Sequence, residues 1–100
     1  MTEFRRDHAG TYWVSMDPVA IKDFRIDWSD WLGDDTIATS TWEAEDAVEP
    51  LAPSVEGGEA MVWLSGAGEL GDVAIVANTI TTAGGRRDRR GFRVVLRGLS

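Results

Sequence analysis

Residues 73–96 read VAIVANTITTAGGRRDRRGFRVVL, which is two runs of alternating residues separated by Ala83-Gly84-Gly85. The first run is rich in β-branched residues, which favour strands, and the second alternates Phe92, Val94 and Leu96 with Arg93, Val95 and Arg97. Because glycines allow a sharp reversal, the pattern predicts two antiparallel strands joined at Ala83–Gly85. We assign Val73 and Ile75 to the buried face of the first strand.

Short alternating segments separated by turn residues continue through the rest of the chain. Strands are predicted over 20–28, 36–43 and 59–64. A further strand over 47–55 is restricted to a sheet edge or a short crossing piece, because it contains prolines, which cannot donate to a strand ladder. After the first strand, the three-residue spacing of Trp28 and Trp31 predicts a short helical turn with both rings on one side.

Six or seven short strands with turns between them are typical of an immunoglobulin-like fold. We therefore predict an all-β, antiparallel β-sandwich over 17–100, preceded by an extended N-terminal arm over 1–16. The side chains assigned to its core are Phe24, Ile26, Trp28, Trp42, Val62, Leu64, Val73, Ile75, Phe92, Val94 and Leu96.

Composition fits one small domain and limits its chemistry. The chain has 100 residues, 43% of them hydrophobic, and no cysteine, so disulfides and thiolate zinc sites are excluded. No apolar run approaches the roughly 20 residues of a membrane span, and the N-terminus does not resemble a signal peptide. We therefore expect synthesis in the cytoplasm and no membrane contact.

Charge is unevenly distributed along the chain. The net charge is −7, yet residues 17–59 hold twelve acids against two basic residues, and residues 60–100 hold six arginines against three acids. The overall acidity argues against nucleic-acid binding, which needs a basic face. The distribution indicates either a solvated acidic surface or separate acidic and basic faces that dock on different neighbours.

No catalytic constellation is evident. His8 is the only histidine, and a Ser-His-Asp arrangement would need it to reach across the fold from the arm. Asp27, Asp30, Asp34 and Asp35 lack the spacing of a calcium-binding loop, and Asp27 fits a cap of the helical turn better. We expect no catalytic residue, no metal site and no cofactor.

Partner contacts are predicted from aromatic and arginine residues. Tryptophan and arginine are favoured at interface hot spots, and an edge strand over 10–16 could pair with a partner. The alternatives are tryptophans in the core, a solubilising arginine cluster, or a sugar-binding platform of exposed aromatic rings. The candidate interface residues are Tyr12, Trp13, Val14, Trp31, Arg86, Arg87, Arg89 and Arg90.

Several segments together resemble a known family of small proteins from tailed bacteriophages and prophages, the fibre-to-tail adaptors. The similarity spans about residues 17–97, and DWSDWL at 27–32 is its most specific block. The other matching segments are Asp17-Pro18 with Ala20, Thr36-Ile37, Ser40-Thr41-Trp42, Val62-Trp63-Leu64-Ser65-Gly66, Asn78-Thr79-Ile80-Thr81-Thr82 and Gly84-Gly85-Arg86.

The resemblance implies a non-enzymatic structural component of the virion tail with a β-sandwich fold. It implies assembly in the bacterial host, several copies per virion, and other phage structural proteins as partners: the tail tube, the connector or nozzle, and the tail fibre. A head decoration or neck protein of the virion remains an alternative. A different class is a carbohydrate-binding module that contacts the host surface.

Overall fold

The computed structural model describes residues 5–6 and 12–98. Its elements in chain order are β1 (Arg5–Arg6), β2 (Tyr12–Met16), β3 (Ile21–Asp27), α1 (Ser29–Leu32), β4 (Ile37–Ala44), β5 (Val48–Glu56), β6 (Glu59–Gly66), β7 (Val73–Thr82) and β8 (Arg87–Leu96). Among these described residues, no helix has the length and apolar character needed to cross a bilayer.

The strands form two sheets that pack against each other. One sheet has the order β1-β2-β8-β7-β4 and the other β3-β6-β5. Neighbouring strands are antiparallel except β2 and β8, which are parallel. The orders β8-β7-β4 and β3-β6-β5 correspond to the two sheets of immunoglobulin-like domains. The predicted all-β sandwich is confirmed.

The space between the sheets holds two groups of buried side chains. We call the larger the main cluster; it contains Val14, Met16, Phe24, Ala47, Val48, Val62, Leu64, Ala74, Val76, Phe92, Val94 and Leu96. We call the smaller the corner cluster; it contains Trp28, Leu32, Ala60 and Ile80. Ile26 and Trp42 are partly buried and pack against both clusters.

Strand β7 presents the opposite face to the core from the one predicted. Val73 and Ile75 are 47% and 43% exposed, whereas Ala74 and Val76 are fully buried. Both faces are apolar at residues 73–76, so alternation there does not identify the inner one. The register decides it, because Ala74 and Val76 lie opposite the buried residues of β8. Assigning Val73 and Ile75 to the core was therefore wrong.

Strand β2 is part of the sandwich. It pairs with β8 through Val14↔Val94 and Met16↔Leu96, and both β2 side chains are buried in the main cluster. Residues 12–16 therefore do not extend from the domain as an arm, and Val14, only 6% exposed, is a core residue rather than a surface residue. The remaining parts of the predicted arm, 1–4 and 7–11 with His8, lie outside the described residues.

The turn of the last hairpin contains only the first residue of the arginine cluster. Strand β8 begins at Arg87, so Arg87, Arg89 and Arg90 lie on the strand and Arg86 lies in the turn. Gly85 has a φ of 89°, which a residue with a side chain rarely adopts. The cluster is therefore a strand segment whose alternate residues point to opposite faces, rather than an exposed loop.

Candidate functional site

Helix α1 forms a corner of the molecule, where it closes one end of the sandwich. A four-residue helix is not stable by itself, so contacts with other elements must hold it. The backbone N–H of Trp28 donates to the Gly58 carbonyl at 2.8 Å, and the last helix residue, Leu32, has a buried side chain. Asp27 accepts a 2.9 Å hydrogen bond from the Ser29 N–H, and hydrogen bonding by Ser29 lowers the pKa of Asp27.

A buried hydrogen-bond network joins this corner to the larger sheet. Trp28 Nε1 donates to Asn78 Oδ1 at 2.9 Å, and both residues are fully buried. The Asn78 amide nitrogen in turn donates to Ser40 Oγ at 2.9 Å and to the Thr41 carbonyl at 3.0 Å. Because a buried polar group without partners is costly, Asn78 fits this position only with all three contacts made.

Arg86 binds the last turn of α1 across 54 residues of sequence. Its guanidinium donates to the Trp31 carbonyl at 3.1 Å and to the Leu32 carbonyl at 2.9 Å. The last carbonyls of a helix have no partner within the helix, and Arg86 supplies one. The guanidinium carbon also lies 4.2 Å from the centroid of the Trp31 ring, a cation–π contact.

Asp35 connects Arg86 to the turn of the last hairpin. Its carboxylate accepts hydrogen bonds from Arg86 Nε at 3.2 Å, from the Thr36 N–H at 2.9 Å and from the Gly84 N–H at 3.0 Å. The Thr82 hydroxyl, followed by these other donors, lowers the pKa of Asp35 to about 2. A Cβ on Gly84 would lie 2.8 Å from Asp35 Oδ2, so a larger residue there would displace this carboxylate.

The Arg90 guanidinium lies over the ring of the buried Trp28. Its guanidinium carbon lies 4.3 Å from the centroid of the Trp28 ring, and Nη1 donates to the Asp27 carbonyl at 3.2 Å. Arg86 and Arg90 therefore make their contacts within the chain, and Trp31 is half-buried under Arg86. The structure gives these three residues contacts that hold the corner, and the expectation that they also contact a partner stays a prediction.

The other candidate interface residues lie in different places on the surface. Tyr12 is 47% exposed at the start of β2, and half-buried Trp13 has the Arg97 guanidinium 5.4 Å from its ring centroid. Arg87 and Arg89 are exposed on β8. The structure thus separates the predicted interface into buried Val14, three residues that hold the corner, and four on the surface.

Sequence reasoning missed the exposed tryptophan of the other sheet. Trp63 is 45% exposed on β6, between the buried Val62 and Leu64. The alternation of β6 already placed it opposite the core face, and that was the available signal. Trp13 and Trp63 lie on different sheets, so the two rings do not form one flat platform for a sugar.

The described residues include no cluster of metal-ligand side chains, and a groove lies between two strands. Within residues 5–6 and 12–98, no group of three or more histidine, cysteine, aspartate or glutamate residues is placed to hold a metal ion. A groove between β3 and β8 is lined by Tyr12, Arg25, Ile26, Asp27, Arg90, Gly91 and Phe92. Because its Asp27 has a lowered pKa, this carboxylate is ionised at neutral pH and is poorly suited to general acid catalysis.

The two ends of the sandwich differ in chemistry. We call the end that carries the 17–20 and 67–72 loops the loop end. There Val19 is 90% exposed and Leu70 is 66% exposed. A Cβ on Gly98 would lie 3.2 Å from Leu70 Cδ2 and 3.9 Å from Asp17 Oδ2, so the two loops meet at Gly98. We call the opposite end, with α1 and the β7–β8 turn, the hairpin end.

Comparison with protein families gives a match over most of the chain, including the residues that form the corner. Residues 16–95 match the family described as podophage GP4 fiber-tail adaptor protein gp77. The comparison with curated proteins finds no match. The family match confirms the resemblance carried by DWSDWL and the other segments, and it spans the corner contacts described above. The chain therefore belongs to the podophage GP4 fiber-tail adaptor family, a family of structural components of the phage virion tail.

Proposed function

We propose that the protein joins a phage tail to its fibre by docking alone, with one partner bound at each end of the sandwich. The family supports a role between tail and fibre. Such a role requires two separate docking surfaces on a rigid body. The loop end and the hairpin end provide surfaces of different chemistry, one apolar and one basic.

The exposed apolar residues of the loop end carry this proposal. Val19 and Leu70 are the most exposed large hydrophobic side chains among the described residues. They belong to two loops that both approach Gly98 at the same end of the sandwich. Exposed apolar side chains grouped at one end of a domain are typical of protein interaction sites. We propose that this end docks in an apolar depression on one partner.

The hairpin end offers a fixed basic surface. Hydrogen bonds from Gly84 and Arg86 to Asp35, and from the Arg86 N–H to Thr82, hold the turn between β7 and β8. The next strand exposes Arg87 and Arg89. A pre-ordered charged surface loses little conformational entropy on binding. We assign Arg87 and Arg89 to an acidic surface on the second partner, because opposite charges steer association.

The distance between the two ends suits a linking role. Strands β7 and β8 each have ten residues, which corresponds to roughly 33 Å along the strand. The longest dimension of the molecule is 42 Å. Two partners can therefore bind at opposite ends without overlapping. In this proposal the protein is made in the host cytoplasm, is present in several copies, and catalyses no reaction.

A pair of double variants tests this proposal. Val19→Asp with Leu70→Asp changes the loop end, and Arg87→Glu with Arg89→Glu changes the hairpin end; each is the matched control for the other. Binding of each full-length variant to purified tails and to purified fibres is measured by sedimentation, with circular dichroism to verify folding. We expect each variant to lose one partner and keep the other. Loss of both partners by one variant, or of neither by both, would contradict the proposal.

A further inference from the structure

We propose that copies of this chain bind one another, with the outer face of the larger sheet of one copy against the outer face of the smaller sheet of the next. The partner is a second copy of the same chain. This contact uses the broad faces of the sandwich and leaves the loop end available, while Arg87 and Arg89 lie where the larger sheet borders the hairpin end. It goes beyond the linking role, because it holds whether or not the ends bind a tail and a fibre.

The outer face of the larger sheet, which we call the basic face, has an apolar centre and arginines around it. Val73 and Ile75 are 47% and 43% exposed there. In the strand register Ile75 lies opposite Arg93, which in turn lies opposite Trp13 on β2. The charged residues that strand alternation places on this face are Arg87, Arg89, Arg93, Arg97 and Glu43, and Glu45 joins them, because its Oε1 accepts a hydrogen bond from the Ile75 N–H at 2.8 Å.

The outer face of the smaller sheet, which we call the acidic face, has the opposite charge around a similar centre. Trp63 is 45% exposed, and Leu51, its neighbour in register on β5, is 37% exposed. Arg25 is partly neutralised, because it donates to Glu59 Oε1 at 3.3 Å. The charged residues that alternation places on this face are Asp23, Asp27, Glu49, Glu56, Glu59 and Arg25.

Charge complementarity selects which faces meet. Two basic faces would bring eight arginines and four glutamates together, and two acidic faces would bring ten carboxylates and two arginines together, counting the residues named above for each face. Like charges placed against each other oppose association, whereas the basic face against the acidic face gains both charge attraction and apolar contact. A contact between different faces is heterologous and therefore repeats, so it closes into a ring or grows into a filament.

Two double variants, each changing one face, test the proposal. Val73→Glu with Arg97→Glu alters the basic face, and Glu49→Arg with Leu51→Arg alters the acidic face. Asp46→Arg is the control, since Asp46 lies in the exposed turn between β4 and β5 and belongs to neither strand face. Sedimentation velocity on the full-length chain measures association over micromolar to millimolar concentration, and circular dichroism verifies that each variant is folded.

We expect the wild-type chain and Asp46→Arg to self-associate, more weakly as salt screens the charges. Each double variant alone should associate roughly tenfold or more weakly. An equimolar mixture of the two should form a one-to-one complex that grows no further, because each partner supplies the intact face that the other lacks. If a double variant fails to fold, Arg97→Gln and Glu49→Gln replace the pair.

Three results would overturn the proposal. A wild-type chain that stays monomeric across the whole concentration range excludes the contact. Unchanged association of either face variant shows that its face is not used. A mixture that forms no complex shows that the two faces do not bind each other. Because no tail or fibre protein is present, these results leave the linking function to be judged by its own experiment.

Discussion

The main cluster and the corner cluster lie in one sandwich but are held by different forces. The main cluster is aliphatic and phenylalanine-rich, with Phe24 and Phe92 stacked across the sheets at a ring distance of 5.4 Å. The corner cluster surrounds Trp28, whose indole has a buried hydrogen-bond partner and an arginine on its ring. Apolar burial accounts for the first cluster, whereas the second also depends on directional contacts between distant residues.

The sequence segment that most specifically resembles the family lies in the corner. The most specific segment, DWSDWL, forms α1 and its preceding residues, and Asn78 and Gly84-Gly85-Arg86 contact the same corner. The most specific of the matching segments therefore builds a structural corner. The surfaces proposed above for partners use other residues, such as Val19, Leu70 and Arg87.

The largest expected effect comes from removing the centre of the corner cluster. Trp28→Ala deletes a fully buried indole and leaves Asn78 Oδ1 without its donor, so we expect a loss of about 3–5 kcal/mol in the free energy of unfolding. Trp63→Ala, at a 45% exposed tryptophan, should cost less than about 1 kcal/mol. Urea unfolding of both variants measures the difference, and equal losses would contradict a Trp28-centred corner.

Arg86 and Arg87 are adjacent but should behave differently. Arg86→Ala removes the donors to α1 and Asp35, and we expect a loss of about 1 kcal/mol, because a side chain that is 44% exposed is partly screened by solvent. Arg87→Ala should change stability by less than about 0.5 kcal/mol. Thermal unfolding of the two variants is the measurement. A larger loss for Arg87→Ala would show that the corner does not depend on Arg86.

Acid should weaken the corner through Asp35. The pKa of this carboxyl falls from an ordinary 3.8 to about 2 in the folded chain, so its stabilising contribution is complete above about pH 4. As the pH falls from about 4 to about 2, the unfolded chain takes up the proton first, and the contribution is lost. We expect the stability difference between wild type and Asp35→Asn, measured by urea unfolding, to shrink over this range. A difference that is constant with pH would contradict this assignment.

A small effect is expected at Trp42, which packs against both clusters. Trp42 Nε1 is buried and has no hydrogen-bond partner in the part of the chain that the structure describes. Trp42→Phe removes this costly donor together with some packing, so we expect a change within about 1 kcal/mol in either direction. Calorimetry compares it with wild type. A loss above about 2 kcal/mol would indicate that the indole N–H has a partner.

The sequence predicted most of the strands, because alternation of apolar residues reflects burial directly. It failed where both faces are apolar, at Val73–Val76, since the register with β8 decides which face is buried there. It also assigned Tyr12–Met16 to an arm, because alternation indicates a strand but does not identify its neighbour. The pairing of β2 with β8 depends on contacts about 80 residues apart in sequence.

The contacts of the corner were beyond sequence reasoning for a related reason. Arg86 and Arg90 belong to a dense cluster of like charges, which resembles a solvated surface when only local spacing is known. Their partners, Trp31 and Asp27, lie more than 50 residues away and become neighbours only when the sandwich closes. The burial of Asn78 could not be predicted either, because a polar amide is buried only where other groups satisfy it. Its three partners come from other elements of the fold.

A double-mutant cycle on Trp28 and Asn78 tests most directly that the corner is one coupled structural unit. Urea unfolding is measured for wild type, Trp28→Phe, Asn78→Ala and the double variant. Because the indole and the amide are fully buried and share a 2.9 Å hydrogen bond, we predict a coupling of about 1 kcal/mol or more between the two substitutions. Additive losses, within about 0.3 kcal/mol, would contradict the account.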